Sequence, residues 1–536
     1  MNASRVSLSA ALGLALLVQA AQSAWAQASP LDERPSGFLT ARTGGLPADA
    51  WTGTALATAK RLVSALPAAP RSRALRDLQF RVMVSELAPP IADGSAGPSL
   101  FARKVDRLAA MGEGESLNET VRSADAYSDP DIAAIVVDAL LMARERAGAC
   151  SIVSRHALAQ PFGRRADIAC KLIDGDNAGA LAAIAPLRGS DAGFATLVRV
   201  AAGGLPPTAA PPGPLDGPAM VMLDLAHVAP PPSVLGTTQP AMIRALVGHR
   251  MLPLPMRIEI AERGEALAVI EATRLSDLYL QAIGDGVALP PATARRARLV
   301  AAARNATTPQ EIVSAIAAVY GETRNSPLFA TVARASASAL LSLPAKAEYA
   351  NVAQEAMRGL LLLGDKRLAE AWTKLALNAA YNNARAMIAL DRLMPLVVVA
   401  GIDNPQRLDA DDVNRWYEVI RQDDARTAPL NGNLLLQLFR ATGNDLAPRA
   451  TQLPEVPPGN VRLVMPPAAT LRALQIAGAA RRRAEAALLA AAAAGETPLA
   501  QLHPTAVGII VRSLREAGED HAARLFAIET AIAHGL

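Results

Sequence analysis

The sequence predicts an all-α protein, and three observations carry that reading. Hydrophobic residues make up 51% of the chain but aromatics only 3%, so the apolar content is mostly Ala, Leu, Val and Ile. Alanine is the best helix former and loses no side-chain freedom on ordering, which suits closely packed helices better than a β-sandwich. Apolar residues also recur at helical spacing behind helix-start signals, and no stretch alternates with period two between hairpin turns.

The first element is an expected signal peptide over residues 1–26. Arg5 precedes the apolar run Leu8–Val18, and the small-residue exit Ala24-Trp25-Ala26 stands just before Gln27. A positive start, an apolar stretch and an A-x-A exit are the parts of an export signal. The run is too short to span a membrane, and no cysteine follows it to carry a lipid. The expected mature chain begins at Gln27, or at Ser29, and works in a bacterial periplasm. No later apolar run approaches the roughly 18–20 residues of a membrane helix, so no transmembrane segment is expected in it.

Residues 27–49 read as a flexible lead-in, and an N-terminal helical domain is expected over 50–202. Asp129-Pro130 marks one helix start there. The only two cysteines, Cys150 and Cys170, lie on either side of Gln160-Pro161-Phe162-Gly163, a strong turn signal. An antiparallel hairpin pivoting at that turn sets both sulfurs at similar height on facing helices. An oxidising compartment lets them join, so a Cys150–Cys170 disulfide is expected; the alternative is two separate buried thiols.

Proline clusters then divide the chain. Residues 203–218, with Pro206, Pro207, Pro211, Pro212 and Pro214, read as an extended linker. A central helical repeat domain follows over 219–445. In it Thr308-Pro309-Gln310-Glu311 is a capping box with proline at the first helical position, ahead of Ile312, Ala315, Ile316, Val319 and Tyr320 on one face. Tyr349, Val352, Ala353, Ala356, Met357 and Leu360 repeat that spacing. A second proline-rich linker spans 446–467, before C-terminal helical hairpins over 468–536. There Val507, Ile510, Val511 and Leu514 follow His503-Pro504. Ser326-Pro327 and Thr497-Pro498 are further expected helix starts.

A helix end, then glycine with an acid, then an Ala-rich helix recurs along the chain. The instances are Asp174-Gly175-Asp176, Gly364-Asp365 and Gly518-Glu519-Asp520, with Ala261-Glu262-Arg263-Gly264-Glu265 a weaker one. Glycine supplies the positive φ of a hairpin turn, and the acids favour the next helix N-terminus. From Tyr349 to about Leu390, Gly364-Asp365 is followed by Ala369, Ala371-Trp372, Lys374, Ala376 and Asn382-Asn383-Ala384. This stretch resembles tetratricopeptide and Sel1-like repeats, as does the hairpin Pro504–Gly535. The spacing between instances departs from the fixed period of about 34 residues in such arrays. The resemblance implies an α-solenoid that binds protein partners and has no chemistry of its own.

The formal net charge is +4, and with only six lysines nearly all the positive charge is arginine. The clusters Arg71/Arg73/Arg76, Arg295/Arg296/Arg298 and Arg481-Arg482-Arg483 are scattered and nearly balanced by acids, so nucleic acid is not an expected partner. Such Arg and Ala usage also follows from a GC-rich genome. The histidines His156, His227, His249, His503, His521 and His534 form no H-E-x-x-H pair, so no metal site is expected, and no cofactor either. Serine-hydrolase, S-x-x-K, Walker A and G-x-G-x-x-G patterns are absent. Glu115-Ser116 is similar to the Glu-Ser pair of lytic transglycosylases, although their Gly-Leu-Met-Gln element is not found downstream. Trp416-Tyr417 lies on an expected helix after Asp409–Asp412, where core packing is the expected role of both and a partner surface the alternative.

The expected function is that of a non-enzymatic periplasmic scaffold that joins envelope proteins. The alternative is a cell-wall-active enzyme of the lytic transglycosylase type. A solute-binding protein fits less well, because such proteins alternate strands and helices around a cleft. Intact-mass measurement of exported protein is expected to show loss of residues 1–26 or 1–28. Retention of the apolar run in a membrane fraction would contradict the expectation of a soluble mature chain.

Overall fold

The computed structural model describes residues 32, 34–187, 191–205, 213–324, 326–381, 383–402, 408–444, 452–457, 459 and 461–536. The expected signal peptide lies outside these residues, as do 206–212 and 445–451 of the proline-rich stretches. Among the described residues there are 26 α-helices and no strands, only four isolated β-bridges. No helix among them is long and apolar enough to cross a membrane.

Local signals set many of the helix boundaries. Thr308 and Glu311 close a reciprocal capping box on helix Pro309–Thr323, whose Ala315, Ile316, Val319 and Tyr320 are buried. Asp129 caps Pro130–Met142 by accepting from the Asp131 and Ile132 amides. Gly364 takes φ +73° at the end of Ala353–Leu363, and Asp365 accepts from the Leu368 amide to cap Lys366–Ala380. Asp176 does the same for Asn177–Ala183 after Gly175.

Other expected boundaries move. Thr497-Pro498 yields only the 3-10 turn Leu499–Gln501, because His503-Pro504 already starts helix Pro504–Glu516. Ser326-Pro327 precedes its helix by a turn, since Phe329–Ala335 starts two residues beyond Pro327. Gly264 is not a hairpin turn but lies inside helix Leu254–Ala266. A Cβ there would lie 2.5 Å from the Ile270 side chain and 2.7 Å from that of Ile243, so glycine answers a close approach.

The lead-in is held in place over its described part. Asp32 is buried, pairs with Lys60 at 3.0 Å and accepts from the Leu100 amide at 2.6 Å. Phe38 and Leu39 amides donate to the Val84 carbonyl, and Leu46 is buried. Through these bonds the described part of the segment closes the end of helix Arg73–Val84.

Packing continues across both proline-rich stretches. Helix Gly217–Leu225 lies on Pro130–Met142 and Phe162–Ile173, and Ala428–Thr442 lies on Pro504–Glu516. The chain also returns on itself. Arg73–Val84 packs against Arg483–Ala494 and Asp520–Ala533, and Leu56–Ala65 also meets Arg483–Ala494. That alanine helix has ten of its twelve residues buried, as a helix apolar on every side requires. Thr54 donates to the buried Glu485 carboxylate at 3.0 Å, and the Ala484 amide donates to the Ala50 carbonyl at 2.9 Å.

One buried carboxylate joins the N-terminal and central helices. Glu265 has a fully inaccessible side chain and takes Arg73 at 2.9 Å and Arg334 through two bonds, at 2.6 and 3.0 Å. Removing one member of such a set leaves the others charged and unpaired in a dry place. Glu265→Ala is expected to cost about 3–5 kcal/mol in urea unfolding. Glu322→Ala, which breaks the exposed pair with Arg295, is expected to cost below about 1 kcal/mol. Equal losses would show that the buried set does not hold the helices together.

Candidate functional site

Where the N-terminal, central and C-terminal helices meet, they border a half-open cavity of about 180 Å³. Its charged wall is Arg71, Arg73, Arg324, Arg334 and Glu529, with Phe329 among the apolar residues. Ser72 places the first two. Its hydroxyl caps helix Arg73–Val84 by accepting from the Leu75 amide at 3.1 Å, and donates to Glu529 Oε2 at 2.6 Å. Glu529 also accepts from the Ala74 amide at 3.1 Å, so a carboxylate from the last helix sits at the N-terminal end of an early one. Phe329 opens helix Phe329–Ala335, stands edge-on to Tyr320, and has the Arg358 guanidinium 5.2 Å from its ring centre.

Charge in this junction is crowded. Burial pushes the Arg73 guanidinium down, and Arg334 adds to that, while Glu265 opposes both. Arg334 is penalised by burial, yet Glu265 holds it above the ordinary arginine value. Burial, and then Arg324, lowers Arg358 to about 10. Arg358 is 5% exposed, and its Nε has no hydrogen-bond partner among the described residues; the same is true of Arg73 Nε.

A second cleft, of about 260 Å³, lies between the Gly364 hairpin and helix Asp520–Ala533. Leu360, Leu361 and Ile528 line it beside Lys366, His521 and Arg524. Gly364 is required here twice: for its positive φ, and because a Cβ would sit 2.8 Å from Leu525. Arg524 is already engaged, to the Val399 carbonyl and to Asp520, both at 2.8 Å.

The residues singled out in the sequence fall elsewhere. Cys150 on Arg146–Arg155 and Cys170 on Phe162–Ile173 face each other with Cα atoms 5.4 Å apart, and their sulfurs are at bonding distance. Trp416 is not a partner surface. It is 2% exposed on helix Ala410–Asp423, with its indole donating to the Arg392 carbonyl at 3.3 Å. At i, i+3 spacing, Val413 and Trp416 form the buried face of that helix, which is the physical reason for the correction. Tyr417 is half-buried against Gly432. Glu115 is exposed in the first turn of Gly114–Ser123. No group of three or more His, Cys, Asp or Glu among the described residues is placed to hold a metal.

The junction itself was missed. Glu265 stands at core spacing with Ile258, Ala261 and Glu262, so an acid on the apolar face was the available signal. No protein-family model, curated protein or solved structure matches this chain.

Burial raises the Glu529 carboxyl above its usual range, with Ser72, Arg334, the Ala74 amide and Arg73 pulling the other way. Between the ordinary value and the raised one, the folded chain holds a proton that the unfolded chain releases. Stability is therefore lost as pH rises through that window. Glu529→Gln keeps an acceptor for Ser72 and Ala74 and removes the titration. Melting temperatures between pH 4 and 7 are expected to fall less with rising pH in Glu529→Gln than in the unaltered protein. Parallel curves would exclude a raised carboxyl.

Proposed function

We propose that this chain is an exported, non-enzymatic helical scaffold of the bacterial envelope, an array of tetratricopeptide- or Sel1-like hairpins that works through protein–protein contacts. The observation that carries the reading is an exposed apolar edge at the tip of the Sel1-like stretch. Leu377, Tyr381, Met387 and Ile388 are 36, 83, 41 and 50% exposed, all between residues 377 and 388. Exposed large apolar side chains this dense along a short stretch support an interaction surface, whereas single ones need no explanation. The helix that carries Leu377 buries Trp372 and Ala376, so these outward side chains are not left over from a missing core. Many of the buried charges elsewhere are held in ion pairs, such as Glu262 with Arg296 and Asp224 with Arg144, which supports a structural role for them.

The test is a photo-crosslinking residue at Tyr381 in the native host, with exposed Glu516 as the control position. A discrete adduct with an envelope protein at Tyr381, absent at Glu516 and lost in Ile388→Asp, is the expected result. The same adducts at both positions would overturn the scaffold reading. Muramidase activity that disappears in Glu115→Gln would replace it with the cell-wall enzyme.

A further inference from the structure

We propose that the junction cavity is a binding site for a small organic oxyanion, a carboxylate or phosphate carried on an apolar body. The first argument is charge. Four guanidinium groups, from Arg71, Arg73, Arg324 and Arg334, line or border one space. Two carboxylates answer them: Glu265, enclosed behind Arg73 and Arg334, and Glu529, already engaged by Ser72 and the Ala74 amide. Glu271 also acts on Arg73 from further off, so the arginines outnumber the carboxylates by one, and Arg358 behind Phe329 adds another.

The second argument is which donors remain. Arg334 spends Nε and one terminal nitrogen on Glu265. Arg71 reaches only the Glu496 carbonyl, at 3.3 Å, and no acceptor among the described residues engages Arg324. Buried Arg73 Nε also lacks a partner. Guanidinium forks without a carboxylate are suited to a planar or tetrahedral oxyanion, which they bind by paired, charge-assisted hydrogen bonds.

The third argument is the rest of the lining. Phe329, Leu362, Leu499 and Ile532 are apolar and share the cavity with the arginines. A bare inorganic ion would leave that surface wet. A small ligand with an oxyanion head and a compact aromatic or aliphatic body satisfies both halves. This site uses none of the Tyr381 edge, so it stands or falls independently of the scaffold reading.

The experiment is calorimetric titration of the full-length mature protein at low salt with phenyl phosphate, benzoate and uncharged benzyl alcohol. Phenyl phosphate or benzoate is expected to bind and benzyl alcohol not to; a tighter phenyl phosphate points to a phosphate ester, a tighter benzoate to a carboxylate. Arg324→Ala and Arg71→Ala remove no ion pair of the folded chain, and each is expected to weaken binding about tenfold or more at an unchanged melting temperature. Absence of heat from both anions at millimolar concentration would overturn the proposal. So would equal affinity in both variants, or equal binding of benzyl alcohol.

Discussion

The fold depends on a carboxylate with no access to water. Glu265 is fixed between Arg73 and Arg334, which come from helices far apart in the chain, and the geometry leaves it nowhere else to put its charge. An isolated carboxylate at that depth would be prohibitively expensive, whereas one with two guanidinium partners and three short hydrogen bonds is tolerable only in this arrangement. Its value is therefore geometric more than energetic: alternative packings of the same apolar helices would strand the charge. Arg76 adds a neighbouring tie by donating to the Ala68, Met111 and Ala268 carbonyls and to Glu113. The cavity between these ties is what remains when three groups of helices are pinned at a few charged points and otherwise covered by apolar contact.

Around that point, small residues set how closely helices approach. A Cβ on Gly478 would lie 2.6 Å from the Ser513 carbonyl oxygen, and one on Gly508 would lie 3.2 Å from the Gln437 side chain. The alanines of Arg483–Ala494 do the same for four neighbouring helices. The few aromatics the chain has, such as Trp51, Trp372, Tyr279 and Phe526, sit inside this packing and fill it between the small residues.

Features governed by a few adjacent residues were legible in the sequence. The capping box at Thr308, the Asp365 cap after Gly364 and the Cys150–Cys170 hairpin each need only neighbours or one turn. The reading failed where a local pattern has two physical meanings. Gly264-Glu265 looks like a glycine turn followed by an acid at a helix start, yet the glycine serves a close approach and the acid a distant ion pair. Trp416 could face a partner or the core, and only the buried Val413 beside it decides. The junction could not be assembled from sequence because Arg73 and Glu265 are 192 residues apart, and nothing local to either names the other.

The contact between the two ends of the chain has a consequence for the order of assembly. Leu56–Ala65 and Arg73–Val84 are made about 400 residues before the surfaces that cover them, Arg483–Ala494 and Asp520–Ala533. Until those arrive, the early helices hold apolar faces and the Arg73 guanidinium without their final neighbours. Folding of this part cannot finish from the front as synthesis proceeds; it waits for the Arg483–Ala494 and Asp520–Ala533 helices. A chain cut short at its C-terminus thus fails at its opposite end, and the interval before closure is when this protein most needs protection from aggregation.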